Sequence, residues 1–443
     1  MTGTCSFHEL ATLSAEAREG LLKRSETDLA AFTERARPII EAVKAEGDAA
    51  LVRFARDFDQ ASVDAGTLKV TEREFDDAFG RVDKDVIESI EFAIGNIRSF
   101  HEEQRPEAMW MKEVRPGAFA GDRWTALGSV ALYVPRGKGA FPSVTMMTGV
   151  PAVVAGVKDI AIVTPPTADG SVDAATLVAA RIAGISTVYK CGGAQAVAAV
   201  AYGTETIRPA LKIVGPGSPW VVAAKRLLAD VIDTGLPAGP SEAIIFADAT
   251  LDGRLAALDV LIEAEHGPDS SAYIVTHSRA VAEAAMAALP DYWAKMTPQR
   301  AEFSRSVLCG RRGGIVLTDS LQQSYDFINA YAPEHLEILS AEPFAHLGSI
   351  TEAAEILMGA HTPITIANFV LGPNAVLPTS RWARSYGPLS VTDFLKRSSI
   401  GYVTSSAYPE LAHHARRLAR YEGFSSHENA VSEMRDAILG GRQ

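Results

Sequence analysis

The spacing of apolar side chains along the chain changes near residue 128. Before that point, stretches such as "SETDLAAFTERARPIIEAVKAEGDAALVRFARDFD" carry apolar residues at helical intervals, so residues 1–105 are predicted to be helical. After it, short apolar runs such as "SVALYVP" and "DIAIVTPP" alternate with helical stretches such as "SVTMMTGVPAVVAGV". Such alternation predicts parallel strands with helices packed on the faces of the sheet.

A second series of strand and helix patterns begins at Glu242. Its strand runs are "EAIIFAD", "AYIVTHS", "GGIVLTD" and "HLEILS". The pattern therefore predicts two α/β units in tandem, and a helical piece follows from about Arg381.

Composition and charge exclude several classes of protein. The 443 residues carry a formal net charge of −12, which disfavours a nucleic-acid partner. Three widely spaced cysteines disfavour both a disulfide framework and a cysteine-based zinc site. The N-terminus has no signal-peptide pattern, and no apolar run is long enough to span a membrane, so we expect a cytoplasmic protein.

Three glycine-containing turns follow predicted strands, namely "YVPRGKG", "CGGAQA" and "VGPGSPW". Ligands of open parallel sheets bind at such turns, where helix N-termini present free N–H groups to phosphates. None of the turns has a complete dinucleotide or P-loop motif. Tight strand-to-helix turns that simply require glycine remain an equal interpretation.

"LIEAEHGPDS" ends an apolar helix pattern with two glutamates and a histidine. Glu263 lies three residues before His266 and therefore shares its helix face, whereas Glu265 points elsewhere. If this corner binds a metal, Glu263 and His266 are the pair. A polar helix end without metal remains open from these residues alone.

Two further histidines lie in unusual places. Glu334 and His335, in "YAPEHLEIL", adjoin between a predicted helix and strand and form a candidate acid/base pair. His427 lies in "EGFSSHENAV", where Ser425 and Glu428 have capping-box spacing. The first helical turn disfavours imidazolium, so His427 is expected to be neutral, as a metal ligand must be.

Nine segments, in order, resemble the histidinol dehydrogenase family over nearly the whole chain. They are "YVPRG", "GGAQA", "KIVGPG", "LPAGPSE", "AEHGPDS", "YAPEHLEI", "GPNAVLPT", "DFLKR" and "EGFSSHENAV". The resemblance implies an α/β fold of two tandem incomplete Rossmann-like units with parallel sheets, plus helical N-terminal and C-terminal segments. The implied limits are an N-terminal helical segment 1–27, a first α/β domain 28–128 with 241–380, a second Rossmann-like domain 129–240 and a helical dimerisation segment 381–443.

The resemblance also implies a homodimer with shared active sites, one zinc ion per site and NAD. Proton transfer is assigned to Glu334 and His335, which match the family's catalytic pair. The zinc ligands of the family are Gln, His, Asp and His, and the matching positions are Glu263, His266, Asn368 and His427. The cofactor is expected at Tyr133, Gln195 and Ser218, and the substrate at Ser143, Ser241, Ala375 and Glu422.

Several positions depart from the family pattern. Glu263 replaces glutamine and Asn368 replaces aspartate, so the ligand set keeps one carboxylate, one carboxamide and two imidazoles. We therefore expect zinc to remain, with Glu263 as its anionic ligand. Ala375 replaces a histidine, Ile364 a glutamate and Ser218 an asparagine. A pocket with fewer polar groups suits an imidazole and an amine poorly, which favours another alcohol as substrate.

Three hypotheses of function follow from these observations. The first is a zinc- and NAD-dependent alcohol dehydrogenase acting on a small-molecule alcohol other than histidinol. The second is a histidinol dehydrogenase that oxidises histidinol to histidine in two steps. The third is a binding protein that kept the fold without catalysis, which the intact Glu334–His335 pair argues against. The sequence leaves open the alcohol, the number of oxidation steps, and the choice between NAD and NADP.

Overall fold

A computed structural model describes residues 4–24, 29–136 and 139–440. Its larger sheet has six strands, all parallel. In spatial order they are β1 (Phe7–Glu9), β10 (Gly313–Leu317), β9 (Ser271–Thr276), β8 (Glu242–Ala247), β11 (His335–Leu339) and β12 (Glu355–Met358). The central strands are buried along their whole length, because helices cover both faces of a parallel sheet.

A second parallel sheet has four strands. In spatial order they are β6 (Thr187–Lys190), β5 (Asp159–Thr164), β4 (Ser129–Tyr133) and β7 (Lys212–Val214). Parallel neighbours require crossover connections, and three helices supply them here, α6 (Pro142–Ala155), α7 (Ala174–Ala183) and α8 (Gly193–Tyr202). The two parallel sheets confirm the predicted fold class.

Fifteen helices among the described residues accompany these sheets. They are α1 (Ala15–Leu21), α2 (Leu29–Glu46), α3 (Asp48–Asp59), α4 (Glu72–Phe79), α5 (Lys84–Glu103), α6 (Pro142–Ala155), α7 (Ala174–Ala183), α8 (Gly193–Tyr202), α9 (Pro219–Leu227), α10 (Gly253–Ala264), α11 (Arg279–Trp293), α12 (Pro298–Leu308), α13 (Leu321–Tyr331), α14 (Phe344–Leu347) and α15 (Ile364–Ile366). Helix α10 packs against β8, β9 and α11, so most of its residues are buried, while Arg254 and Leu258 remain exposed. In the described ranges, no helix is long and apolar enough to cross a membrane.

A separate compact unit comprises residues 105–126 and the described residues from 395 onward. Its antiparallel sheet contains β2 (Met109–Arg115), β3 (Ala118–Ala126) and β13 (Leu395–Val403). Its helices are α16 (Tyr408–Tyr421), α17 (Ser425–Ala430) and α18 (Glu433–Gly440).

This unit departs from the expectation that residues 381–443 are helical throughout. Strand β13 lies inside that segment and pairs with β3, which is far away in sequence. The sequence "LKRSSIGYV" lacks a strong apolar alternation, so its strand conformation depends on pairing that no local pattern reports. The predicted domain limits themselves remain a prediction.

Candidate active site

The predicted catalytic pair lies at the amino end of one strand, and Ser241, predicted to bind substrate, lies at the amino end of the neighbouring strand. Glu334 immediately precedes β11 and His335 opens it, while Ser241 immediately precedes β8. Strands β8 and β11 pair directly, and the backbone N–H of Glu242 donates to Glu334 Oε2 at 2.8 Å. Ligand sites of parallel sheets usually lie at the carboxyl ends of the strands, as we expected for the glycine-containing turns. These residues lie at the opposite, amino ends.

Glu263 and His266 come together at the end of α10, as their spacing predicts. His266 Nδ1 lies 3.2 Å from Glu263 Oε2 and 3.0 Å from the carbonyl oxygen of Ile262. Since Nδ1 faces these oxygens, Nε2 is the nitrogen left for a metal. The Glu263 side chain is buried at a helix C-terminus, where the helix dipole disfavours negative charge and favours a cation.

Asn368 lies beside Glu263, in a π-helical turn spanning Ala367–Leu371. Its Nδ2 donates to Glu263 Oε1 at 3.1 Å, and its buried Oδ1 has no hydrogen-bond partner among the described residues. An orphaned amide oxygen next to a buried carboxylate and an imidazole fits a zinc ligand set. Over the described ranges, no three His, Cys, Asp or Glu side chains are placed to hold a metal ion together, and the candidate set here includes an asparagine.

The charges around Glu263 favour its ionised form. Burial raises the pKa of Glu263. The opposing effects are larger and hold the pKa below its usual value; they come from the neighbouring His266 and His335 and from hydrogen bonds with Asn368 and Ser241. Ser241, predicted to contact substrate, therefore contacts the predicted metal ligand. Glu263 is suited to be the anionic ligand.

The two nitrogens of His335 have different surroundings. Nε2 lies 3.9 Å from Glu334 Oε1 and 4.0 Å from Glu263 Oε1, whereas Nδ1 lies 2.6 Å from Glu355 Oε2. Burial lowers the pKa of His335, but Glu263, Glu355 and Glu334 raise it to about 10. Nε2 is thus the nitrogen that faces the space between the predicted catalytic and metal-binding carboxylates.

Glu334 has the opposite tendency. Burial raises its pKa well above the usual value, and Glu263 and Glu242 raise it further. His335 and the Glu242 N–H partly offset this rise. A carboxyl group that holds its proton beside an imidazole is a common arrangement for acid/base chemistry.

The residues predicted to bind the cofactor lie at the carboxyl ends of the strands in the four-stranded parallel sheet. Tyr133 ends β4, and its hydroxyl accepts a hydrogen bond of 2.9 Å from the N–H of Gly193, at the start of α8. Gln195 is buried in the first turn of α8. Ser218 is exposed and directly precedes α9. These positions fit the sites where helix N-termini bind phosphates.

The other predicted substrate residues divide between the two compact units. Ser143 lies in the first turn of α6, and Ala375 is half-buried in the segment after the π-helical turn. Glu422 and His427 belong to the smaller unit, where both are exposed. His427 occupies the first turn of α17 as predicted, but the capping box is absent, because Glu428 instead accepts hydrogen bonds from Arg420.

Two buried features were not predicted from sequence. The first is an ion pair of 2.8 Å between Arg24 Nε and Glu242 Oε1, with Arg24 also lying 3.3 Å from the ring centroid of Tyr331. The second is a pair of carboxyl groups, Asp259 on α10 and Glu337 on β11. A charged residue inside the apolar run "HLEIL" was the only sequence signal for the second feature.

Replacing Arg24 with methionine is expected to destabilise the fold by about 3–5 kcal/mol, because the Glu242 charge stays buried without its partner. Denaturant unfolding measures the loss. The matched double variant Arg24→Met with Glu242→Gln should recover much of it, since neither charge remains. Equal losses in the single and double variants would contradict this role.

Glu337 makes stability depend on pH. Burial, and then Asp259, raise its pKa from 4.5 to about 10. Between those values the folded chain holds one proton more than the unfolded chain, so stability falls as pH rises, by about 1.4 kcal/mol per pH unit. Glu337→Gln should flatten this slope in unfolding measured from about pH 6 to about pH 9. The exposed Glu342→Gln is the control, and an unchanged slope in Glu337→Gln would refute the assignment.

Comparison with known proteins shows the family of this chain. A solved histidinol dehydrogenase from Elizabethkingia anophelis has the same fold, with a TM-score of 0.90, 28% identity and 99% of each chain covered. Residues 22–435 match the family model for histidinol dehydrogenase. The chain therefore belongs to the histidinol dehydrogenase family, a family of NAD-dependent oxidoreductases that act on CH–OH groups.

Two curated relatives cover almost the whole chain. "Histidinol dehydrogenase homolog 2" of Mesorhizobium japonicum is 78% identical over 436 residues, covering 98% of this chain and 99% of that protein. "Histidinol dehydrogenase" of a Synechocystis species is 48% identical over 430 residues, covering 97% and 99%. The predicted family is confirmed. The family generally uses NAD and Zn²⁺ and acts as a homodimer.

Proposed function

We propose that this chain oxidises an alcohol by hydride transfer to NAD⁺, with one zinc ion per site and sites shared between two copies of the chain. The observation that supports this most strongly is the convergence of Glu334, His335 and Glu263. His335 Nε2 lies within 4.0 Å of a carboxylate oxygen of each glutamate. The predicted metal ligand Glu263 and the predicted acid/base pair Glu334 and His335 are thus close enough to act on the same substrate group.

Glu263, His266 and Asn368 would hold the zinc ion, with His427 added from a second copy of the chain. When bound, zinc polarises the substrate hydroxyl and lowers its pKa, and NAD⁺ accepts the hydride. Two atoms are available to coordinate zinc, namely the carboxamide oxygen of Asn368 and Nε2 of His266.

His335 takes the hydroxyl proton on Nε2 as the general base. Of the charges that raise the pKa of His335, that of Glu263 has the largest effect. If Glu263 held a cation, the pKa of His335 would fall and Nε2 would be free to accept a proton. Glu334 would activate water if the first product is an aldehyde and a second oxidation follows. Tyr133, Gln195 and Ser218 would orient NAD⁺.

Histidinol is the substrate that the comparisons favour, because relatives of nearly full coverage carry the name histidinol dehydrogenase. A different alcohol is the second candidate. It is supported by Ala375 and Ile364, which stand where the family pattern has histidine and glutamate. Ile364 is fully buried in an apolar cluster, so it offers no polar group to an amine.

Zinc analysis combined with NADH formation tests both candidates. The purified protein is assayed with histidinol and with primary and secondary alcohols that lack an imidazole. Two NADH per histidinol identify the four-electron route, whereas faster turnover of another alcohol identifies the second candidate. A protein that holds no zinc and reduces NAD⁺ with none of them is not an alcohol dehydrogenase.

A further inference from the structure

Glu355 is a buried glutamate that no predicted role includes. It opens β12, and the parallel pairing of β11 and β12 places it directly opposite His335. Its Oε2 lies 2.6 Å from His335 Nδ1, and both side chains are about 95% buried. The other oxygen, Oε1, has no hydrogen-bond partner within the described part of the chain.

The fold alone does not call for a carboxylate at this position. The rest of β12 is apolar, with the sequence Ile356, Leu357 and Met358, and burying a charge costs free energy unless a partner compensates it. His335 is the side chain that provides the compensation. The Glu355 carboxylate therefore acts on the His335 imidazole, which is its hydrogen-bond partner.

We propose that Glu355 is the positioning residue for His335, an inference that rests on the proposed function. It accepts a hydrogen bond from Nδ1–H, which fixes the plane of the ring and directs Nε2 toward Glu334 and Glu263. The lone pair that accepts the substrate proton is thereby held on Nε2. A carboxylate behind a catalytic imidazole acts in this way in other enzymes, without touching the substrate.

Kinetics of zinc-loaded variants test this role. Glu355→Leu should lower kcat on the order of 10²-fold, while zinc content and the KM values for alcohol and NAD⁺ stay near those of the wild type. Glu355→Gln keeps the size and a neutral acceptor, so its kcat should be intermediate. Leu357→Ala is the matched control, because it weakens the same face of β12 without removing the carboxylate. It should lower the melting temperature and leave kcat unchanged.

Proton NMR gives a readout that does not need activity. A short hydrogen bond between a buried imidazole and a carboxylate should produce an Nδ1–H resonance well downfield of the amide range. It should vanish in Glu355→Leu and His335→Gln, shift upfield in Glu355→Gln and persist in Leu357→Ala. If Glu355→Leu does not fold, kcat and the Nδ1–H resonance of Glu355→Gln together test the positioning role.

The outcomes separate this inference from the proposed function. Unchanged kcat in the folded Glu355 variants, or no such resonance in the wild type, overturns the positioning role while an active wild type still supports the dehydrogenase. An inactive wild type refutes the dehydrogenase, and the resonance alone then decides whether Glu355 holds Nδ1.

Discussion

His335→Gln is expected to lower kcat by about 10²–10⁴-fold, because it removes the base that takes the hydroxyl proton. Nε2 is buried and faces Glu334 and Glu263, so bulk water is poorly placed to replace it. The KM values for NAD⁺ and alcohol should change little, since proton transfer takes place in the transition state.

Steady-state NADH formation, at saturating NAD⁺, measures this effect. His361→Gln is the matched control, because His361 is exposed and has no part in the site. Zinc content should be equal in all three proteins. A His335→Gln protein whose kcat stays within about twofold of the wild type would remove the general-base assignment.

Exchanging the two unusual metal ligands is expected to have a large effect on zinc affinity. Glu263→Gln leaves a neutral ligand set, and Asn368→Asp brings a second carboxylate into contact with the first, at the position of the present 3.1 Å hydrogen bond. Glu263→Gln should weaken zinc binding by about 10–100-fold or more, with kcat/KM falling in parallel. Asn368→Asp should raise the pKa of the new carboxyl pair.

The double variant, Glu263→Gln with Asn368→Asp, is the decisive comparison. It has one carboxylate and one carboxamide, as the natural chain does, so its zinc affinity should return to within about tenfold of the wild type. Competition with a chromogenic chelator measures all four proteins. Strictly additive losses in the double variant would show that Glu263 and Asn368 do not share a metal ion.

The sequence was sufficient to predict the parts of the site that depend on local spacing. Glu263 and His266 meet because residues three apart share a helix face, and the structure brings them to 3.2 Å. The alternation of strands and helices likewise predicted both parallel sheets. The pairing of Asn368 with Glu263 came only from the family resemblance, since the two are 105 positions apart.

Other features depend on contacts that no local pattern encodes. Glu355 reaches His335 through the register of β11 and β12, and a strand sequence does not specify its neighbour. The π-helical turn that carries Asn368 is a local irregularity without a composition signal. Arg24 lies in a segment predicted only as helical, yet its charge is paired with Glu242 on a distant strand.

The buried amino edge of β8 and β11 also has a consequence for protein turnover. Glu263 and Glu334 lie close together there, and the Glu263 charge is one reason why Glu334 holds its proton in the metal-free fold. A ligand that binds only the folded state stabilises it in proportion to the logarithm of its concentration. We therefore expect bound zinc to stabilise the folded chain, and loss of zinc to shorten its half-life in the cell.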